Sequence, residues 1–107
     1  MKIDVETIRK LTDSGNILWS QHCVERMQQR MISRESVLTI LRDGEIIESY
    51  ENDFPHPSCL ILGFDQSKPI HVVCGCDMET VFVVTAYEPD AVTFENDYKT
   101  RRCNEKR

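Results

Sequence analysis

The hydrophobic residues of this chain change their spacing near residue 45, and that change limits the fold more than any other feature. Before it, apolar side chains recur every three or four residues, which is the period of a helix that buries one face. After it, short apolar runs stand between turn residues, which is typical of strands. The chain has 107 residues, the size of one domain. We therefore predict a single α+β domain over residues 1–107.

Three helices are predicted in the first half, and each follows a residue whose side chain can cap it. These residues are Asp4, Ser20 and Ser33, whose oxygens can accept from the first free backbone N–H groups of a helix. Gly15 and Gly44 stand where the first and third helices should end. The second helix is expected to run to about residue 30 and to bury Cys23, Val24, Met27 and Met31.

Four strands are predicted in the second half, over residues 45–50, 58–64, 70–76 and 80–87. The turns between them are too short for a parallel crossover, which needs about a dozen residues. The expected architecture is therefore a helical layer packed on a four-stranded antiparallel meander. Residues 17–19 form a short apolar stretch between the first two helices. After Pro89, both a helical turn around residues 91–96 and a loop are compatible with the sequence.

The charge is distributed unevenly along the chain. The net charge is −5, with a balance of +2 over residues 1–34, −11 over residues 35–98 and +4 over residues 99–107. A protein that binds nucleic acid strongly is usually basic. The total charge therefore counts against that function, whereas the basic ends leave room for it. The acidic middle is equally suited to a basic partner surface.

The sequence shows no signal for export or membrane insertion. The first ten residues mix acids with bases and lack the apolar region of a signal peptide. The longest apolar runs are far too short to cross a bilayer, so we expect a cytoplasmic protein. The five cysteines are an odd number without Cys-x2-Cys spacing. We therefore predict reduced thiols, no structural metal and no cofactor.

The second predicted helix carries the strongest functional signal. His22, Arg26 and Arg30 stand four residues apart, so they share one face, away from the buried side; Arg34 continues the spacing. Guanidinium groups bind phosphate through two parallel hydrogen bonds, and histidine can transfer protons near neutral pH. The alternative is a solvated basic face that forms surface ion pairs with Glu25 and the acidic segment.

Two further signals lie in the second half and the tail. Tyr87 closes the last predicted strand, where its hydroxyl or ring can serve a phosphate or a base, although such a residue often only covers the rim of a sheet. Arg101 lies in a basic tail that either folds back towards the same cleft or stays solvated. Strand alternation places His71 on the face opposite Cys74 and Cys76, and we interpret it as a structural histidine.

Together these residues resemble the domain-of-unknown-function family DUF4258, over about residues 17–102. The likeness rests on the order of several short motifs. Phe94 stands where the family is expected to carry tryptophan. The matching residues are His22, Arg26, Arg30, Ile32 and Ser33; Pro55, Pro57, Ser58, Leu60, Leu62 and Gly63; residues 69–73; Thr85, Tyr87, Pro89 and Asp90; and Phe94, Asp97, Arg101 and Arg102.

The resemblance implies a fold like that of RelE/barnase-type toxins and a small zinc-finger antitoxin of the MqsA type as partner. It therefore implies a metal-independent endoribonuclease or an RNA-binding domain, directed at RNA or at the ribosome. In this hypothesis His22 transfers protons, and Tyr87 positions the RNA or stacks on it. Both residues face one cleft together with three arginines. The cations that stabilise phosphate charge are Arg26, Arg30 and Arg101. The alternatives are a non-enzymatic protein-binding module that uses the acidic strands or the basic helix and, last, a redox or zinc protein. The oligomeric state is left open.

Overall fold

The computed structural model describes residues 3–90 together with residues 97, 98 and 100. Three helices and five strands lie in this part of the chain, so the predicted α+β class is confirmed. They are α1 (Val5–Asp13), β1 (Ile17–Trp19), α2 (Gln21–Gln29), α3 (Arg34–Asp43), β2 (Glu45–Tyr50), β3 (Ser58–Asp65), β4 (Lys68–Cys76) and β5 (Val81–Tyr87).

The three predicted helix caps are confirmed. The Asp4 carboxylate accepts a hydrogen bond from the backbone N–H of Thr7 at 2.8 Å. Such bonds favour the charged form, so they hold the pKa of Asp4 below its usual value. The hydroxyls of Ser20 and Ser33 each accept from the backbone N–H three residues further on. Each helix therefore begins where a side chain satisfies one of its free donors.

The predicted buried side of α2 is partly wrong. Cys23 and Met27 are buried, and Val24 is half-buried. Met31, however, is 87% exposed. The helix ends at Gln29, and the backbone of Met31 has a positive φ of 58°. Met31 therefore no longer follows the helical period, which is why the spacing of four residues from Met27 misplaced it.

The predicted four-stranded meander must also be corrected, because the sheet has five strands and is mixed. The order is β1-β5-β4-β3-β2, and β2 to β5 are antiparallel as expected. The additional strand, β1, is the apolar stretch at residues 17–19, and it pairs in parallel with β5. Parallel pairing is possible because the whole α2–β4 segment provides the long connection that it requires.

The helices pack on one face of the sheet, and the main core lies between the two layers. The closest approach is between α3 and β3. A Cβ added to Gly63 would lie 2.5 Å from Cγ1 of Ile40, so only glycine fits at this point of β3. The core members on the sheet include Cys59, Ile61, Ile70, Val72, Cys74, Cys76, Val81, Val83 and Ala86.

The second face of the sheet carries the side chains that alternate with this core. Leu62 and His71 are paired across β3 and β4 and are both buried. His71 is paired in turn with Tyr87 on β5. Tyr98 also lies against this face, since its carbonyl oxygen is 2.6 Å from Nε2 of His71. The second face is therefore partly covered rather than open to water.

None of the helices in the described part is long and apolar enough to cross a bilayer. The helical turn or loop predicted at residues 91–96 lies outside the described residues, as do Phe94, Arg101 and Arg102.

Candidate functional site

The helix α2 lies beside β5, and Arg30 connects the two. β1 covers the outer edge of β5 only from Val81 to Val83. Beyond that point, Nη1 of Arg30 donates to Oγ1 of Thr85 at 3.1 Å and to the carbonyl oxygen of Ala86 at 2.9 Å. The guanidinium therefore occupies the edge of β5 that β1 leaves uncovered. We refer to His22, Arg26 and Arg30 as the basic row.

The other end of the basic row borders a cavity. His22 is exposed at the mouth of this cavity, which has a volume of about 570 Å³. Arg26 is also exposed and stands one helical turn from each of its neighbours in the row. The row thus runs along β5 from the cavity to Thr85. We call the cavity the edge groove; it is lined by Leu18, Trp19, Ser20, His22, Phe82, Val83 and Val84.

Arg34 does not extend the basic row. It is the first residue of α3, and its guanidinium carbon lies 5.5 Å from the centroid of the Trp19 ring. A cation at this distance from an aromatic face is attracted by the ring quadrupole. Arg34 therefore does not share the helix face of the basic row, because the chain turns between α2 and α3.

Tyr87 lies two residues beyond Thr85, whose hydroxyl accepts a hydrogen bond from Arg30. Ala86, beside the Arg30 contact, is buried in the core between the layers. By alternation, Tyr87 points to the second face, where its ring meets that of His71 edge to face at a centroid distance of 5.4 Å. The structure therefore brings Arg30 to the end of β5, while the ring of Tyr87 packs on His71 and does not line the cavity that His22 lines. One cleft shared by all the predicted site residues stays a prediction. Arg101 lies outside the described residues.

The buried cysteines lie in the core next to this site. Burial raises the pKa of Cys23, and the charge of Arg30 partly offsets that increase. The hydrogen bond between the thiols of Cys74 and Cys59 is the first cause of the raised pKa of Cys74. Burial raises the pKa of Cys76 to about 11. Thiols with a raised pKa are poor nucleophiles, because the reactive species is the thiolate. Among the described residues, no group of three or more His, Cys, Asp or Glu side chains is arranged to hold a metal.

The ion pairs found among the described residues do not include a member of the basic row. They join Arg42 to Asp13 at 3.0 Å and Lys68 to Glu88 at 3.2 Å. Glu25, the expected partner on α2 itself, accepts a hydrogen bond from Gln21. The solvated-face alternative predicted surface ion pairs of the basic row with Glu25 and the acidic middle segment. The contacts instead leave exposed cations beside the groove, which suits an anionic ligand.

Sequence reasoning did not identify the apolar and aromatic side of the site. Leu18 and Phe82 are paired between β1 and β5 and share the second face. Leu18 is 58% exposed and Val84 is 49% exposed. The ring of His56 stacks on Phe82 with a centroid distance of 4.6 Å and an interplanar angle of 5°. Alternation within residues 81–84 indicates that Phe82 faces away from the core. Its contact with Leu18 could be predicted only if residues 17–19 had been recognised as a strand.

Comparison with known protein families gives one finding that bears on this site. Residues 19–88 match a family model described as "Domain of unknown function (DUF4258)". The matched span contains the whole basic row and Tyr87, but it ends before Arg101. The comparison with curated proteins finds no match.

Proposed function

Because this chain belongs to the DUF4258 family, whose description assigns no reaction, we propose its function from the site: it binds single-stranded RNA and cleaves it by side-chain catalysis. The observation that carries this proposal is the basic row, which lies along the edge of β5 next to an apolar, aromatic groove. Single-stranded RNA offers phosphates to cations and unstacked bases to such surfaces. The site has both kinds of surface, one helical turn apart.

In the proposed reaction, a base removes the proton of a ribose 2′-hydroxyl, which attacks the adjacent phosphorus, and an acid protonates the leaving 5′-oxygen. His22 is the proton-transfer group, because it is the imidazole of the row. Arg26 and Arg30 stabilise the charge that develops on the phosphate oxygens. A guanidinium has five N–H donors, so Arg30 can hold the edge of β5 through Nη1 and still donate to a phosphate.

The proposal includes the context that the sequence resemblance implies. Helices followed by an antiparallel sheet are the order of elements in RelE/barnase-type toxins. The order α1 to α3 followed by β2 to β5 supports this part of the proposal, although β1 stands between α1 and α2. A domain that cleaves RNA in its own cell has to be inhibited. The proposed inhibitor is a small zinc-finger antitoxin, whose binding would cover the basic row.

The test is to replace Arg26 with alanine and to follow RNA cleavage by the purified protein and growth of a host without any antitoxin. Loss of one charged contact to the transition state should lower the cleavage rate by a factor of roughly 10² to 10³. This factor corresponds to a loss of about 2.7–4 kcal/mol of transition-state stabilisation. The stability should change by about 0.5 kcal/mol or less, because Arg26 is exposed. Arg30→Ala is a less selective test, since it also removes the contact with Ala86.

Lys10→Ala is the matched control, because it removes an exposed cation from α1. Arg9 is unsuitable, since its Nη2 donates to the carbonyl oxygen of Gly44 at 3.1 Å. If the wild-type protein leaves RNA intact and growth unaffected, the ribonuclease proposal fails. If it cleaves RNA and Arg26→Ala cleaves equally well while folded, the function survives but the site is wrong.

A second candidate function is a protein-binding module, and one observation favours it. β2 forms one edge of the described sheet, and β1 forms the opposite edge. This strand carries Glu45 and Glu48, and an edge strand can pair with a segment of another protein. An enzyme acts at catalytic amounts, whereas a binding module requires stoichiometric protein. A dose series of the protein in the growth assay distinguishes the two.

A further inference from the structure

We infer that the edge groove is a subsite for one unstacked nucleobase, with Phe82 as the stacking residue. This inference rests on the proposed function, because the base belongs to the RNA whose phosphates bind the basic row. It assigns a nucleobase to the groove and a binding role to Leu18, Phe82 and Val84. The occupant is a planar, aromatic group linked to an anionic backbone.

The first support is the chemistry of the groove walls. Leu18, Phe82 and Val84 provide apolar surface, and Leu18 and Val84 are about half exposed or more. Exposed apolar side chains that are grouped in a concave site are typical of ligand sites. The cavity of about 570 Å³ is within the range of small-molecule pockets, about 300–1,000 Å³.

The second support is the orientation of Phe82. His56 covers one face of its ring in a parallel stack, so the position of the ring is fixed by its neighbour. A ring held in this way loses little freedom when a base stacks on its remaining surface, and preorganisation of this kind favours binding. Every base has a π face, so stacking accepts RNA of varied sequence.

The third support is the charge at the mouth of the groove. His22 lines the groove, and Arg26 and Arg30 follow at intervals of four residues, about 6 Å each along a helix. Successive phosphates of a strand are spaced similarly. A base in the groove therefore leaves its own phosphate near His22 and the next phosphates beside the two arginines. This complementarity distinguishes a nucleic acid from an uncharged aromatic ligand.

The test uses a short 2′-O-methyl RNA oligonucleotide, which binds but cannot be cleaved because it lacks the attacking hydroxyl. Its counterpart has the same backbone with abasic residues at every position. Trp19 lines the groove and is the single tryptophan of the chain, so its fluorescence reports on occupation. We expect the oligonucleotide with bases to quench Trp19 and to bind about 5- to 150-fold more tightly than the abasic one.

Phe82→Leu keeps an apolar side chain in β5 but removes the π face, and it should abolish most of the difference between the two oligonucleotides. Leu18→Ala, at an exposed position, is a second variant that should weaken binding without affecting the fold. Phe64→Leu is the control, because Phe64 is 51% exposed on β3 and does not line the groove. It should bind as the wild type does.

The outcomes separate this inference from the proposal on which it rests. If both oligonucleotides bind equally, Phe82→Leu has no effect and Arg26→Ala weakens binding, the base subsite is wrong and RNA binding stands. If neither oligonucleotide binds the wild-type protein, both ideas are wrong. Quenching that requires bases and is lost in Phe82→Leu, but kept in Phe64→Leu, supports the subsite.

Discussion

The two helices that flank the sheet, α3 and α2, differ in how they meet their strands. α3 lies so close to β3 that Gly63 has no room for a side chain beneath Ile40, and it buries Val37, Ile40 and Leu41. α2 buries only Cys23 and Met27 and turns its basic row to the edge of β5. Close packing favours a single rigid arrangement. The difference suggests that stability is concentrated on the α3 side, which leaves the α2 side able to carry exposed charge and apolar surface.

The largest expected effect is on the α3 side. Ile40→Ala should lower the free energy of unfolding by roughly 2–5 kcal/mol, because it removes a buried side chain and leaves a cavity. Arg26→Ala, on α2, should lower it by about 0.5 kcal/mol or less. Urea unfolding of both variants measures the difference. Similar losses in the two variants would contradict the division of the molecule into a stabilising side and a functional side.

The next effect concerns the close contact itself. Gly63→Ala places a Cβ against the side chain of Ile40, and overpacking of this kind should cost about 1–3 kcal/mol. Val84→Ala, on the half-exposed β5 position beside the groove, should cost about 0.5 kcal/mol or less. Thermal unfolding of the two variants provides the comparison. If Gly63→Ala unfolds like the wild type, the two layers are less closely fitted than the structure indicates.

The smallest effect compares the caps of the two helices. Ser33 caps α3, and its hydroxyl also contacts that of Ser36, which donates to Asp65 at the end of β3. Ser20 caps α2 through the N–H of Cys23. Each alanine substitution should lower the free energy of unfolding by about 1 kcal/mol. The loss should be larger for Ser33→Ala, because the Ser33 hydroxyl belongs to a hydrogen-bond network. A larger loss for Ser20→Ala in the same unfolding experiment would reverse the comparison.

Local chemistry made most of the fold predictable from the sequence. The caps depend on one side chain and a nearby N–H group, and the order of β2 to β5 follows from short turns, so both could be read from neighbouring residues. β1 could not be predicted in this way. It has only three residues, which is too few to show alternation, and its partner β5 is distant in sequence. Met31 was misplaced because its positive φ ends the helical period.

The candidate site was predictable only where one helix defines it. The basic row follows from a spacing of four residues, but the contact of Arg30 with Ala86 depends on where β1 ends. The face of Tyr87 depends on the bulge between β4 and β5, which shifts the register after Val83. The groove escaped prediction because Leu18 and Phe82 become neighbours only when the parallel pair forms.

That parallel pair also has a consequence for the synthesis of the protein. About sixty residues separate Trp19 from Val81, and a chain emerges from the ribosome N-terminus first. The helix with the basic row is therefore translated long before the strand that completes the groove, and contacts this distant in sequence form late. A nascent chain would carry the cations without the finished site. If the domain attacks RNA, its own message and ribosome would be spared until translation of the domain is almost complete.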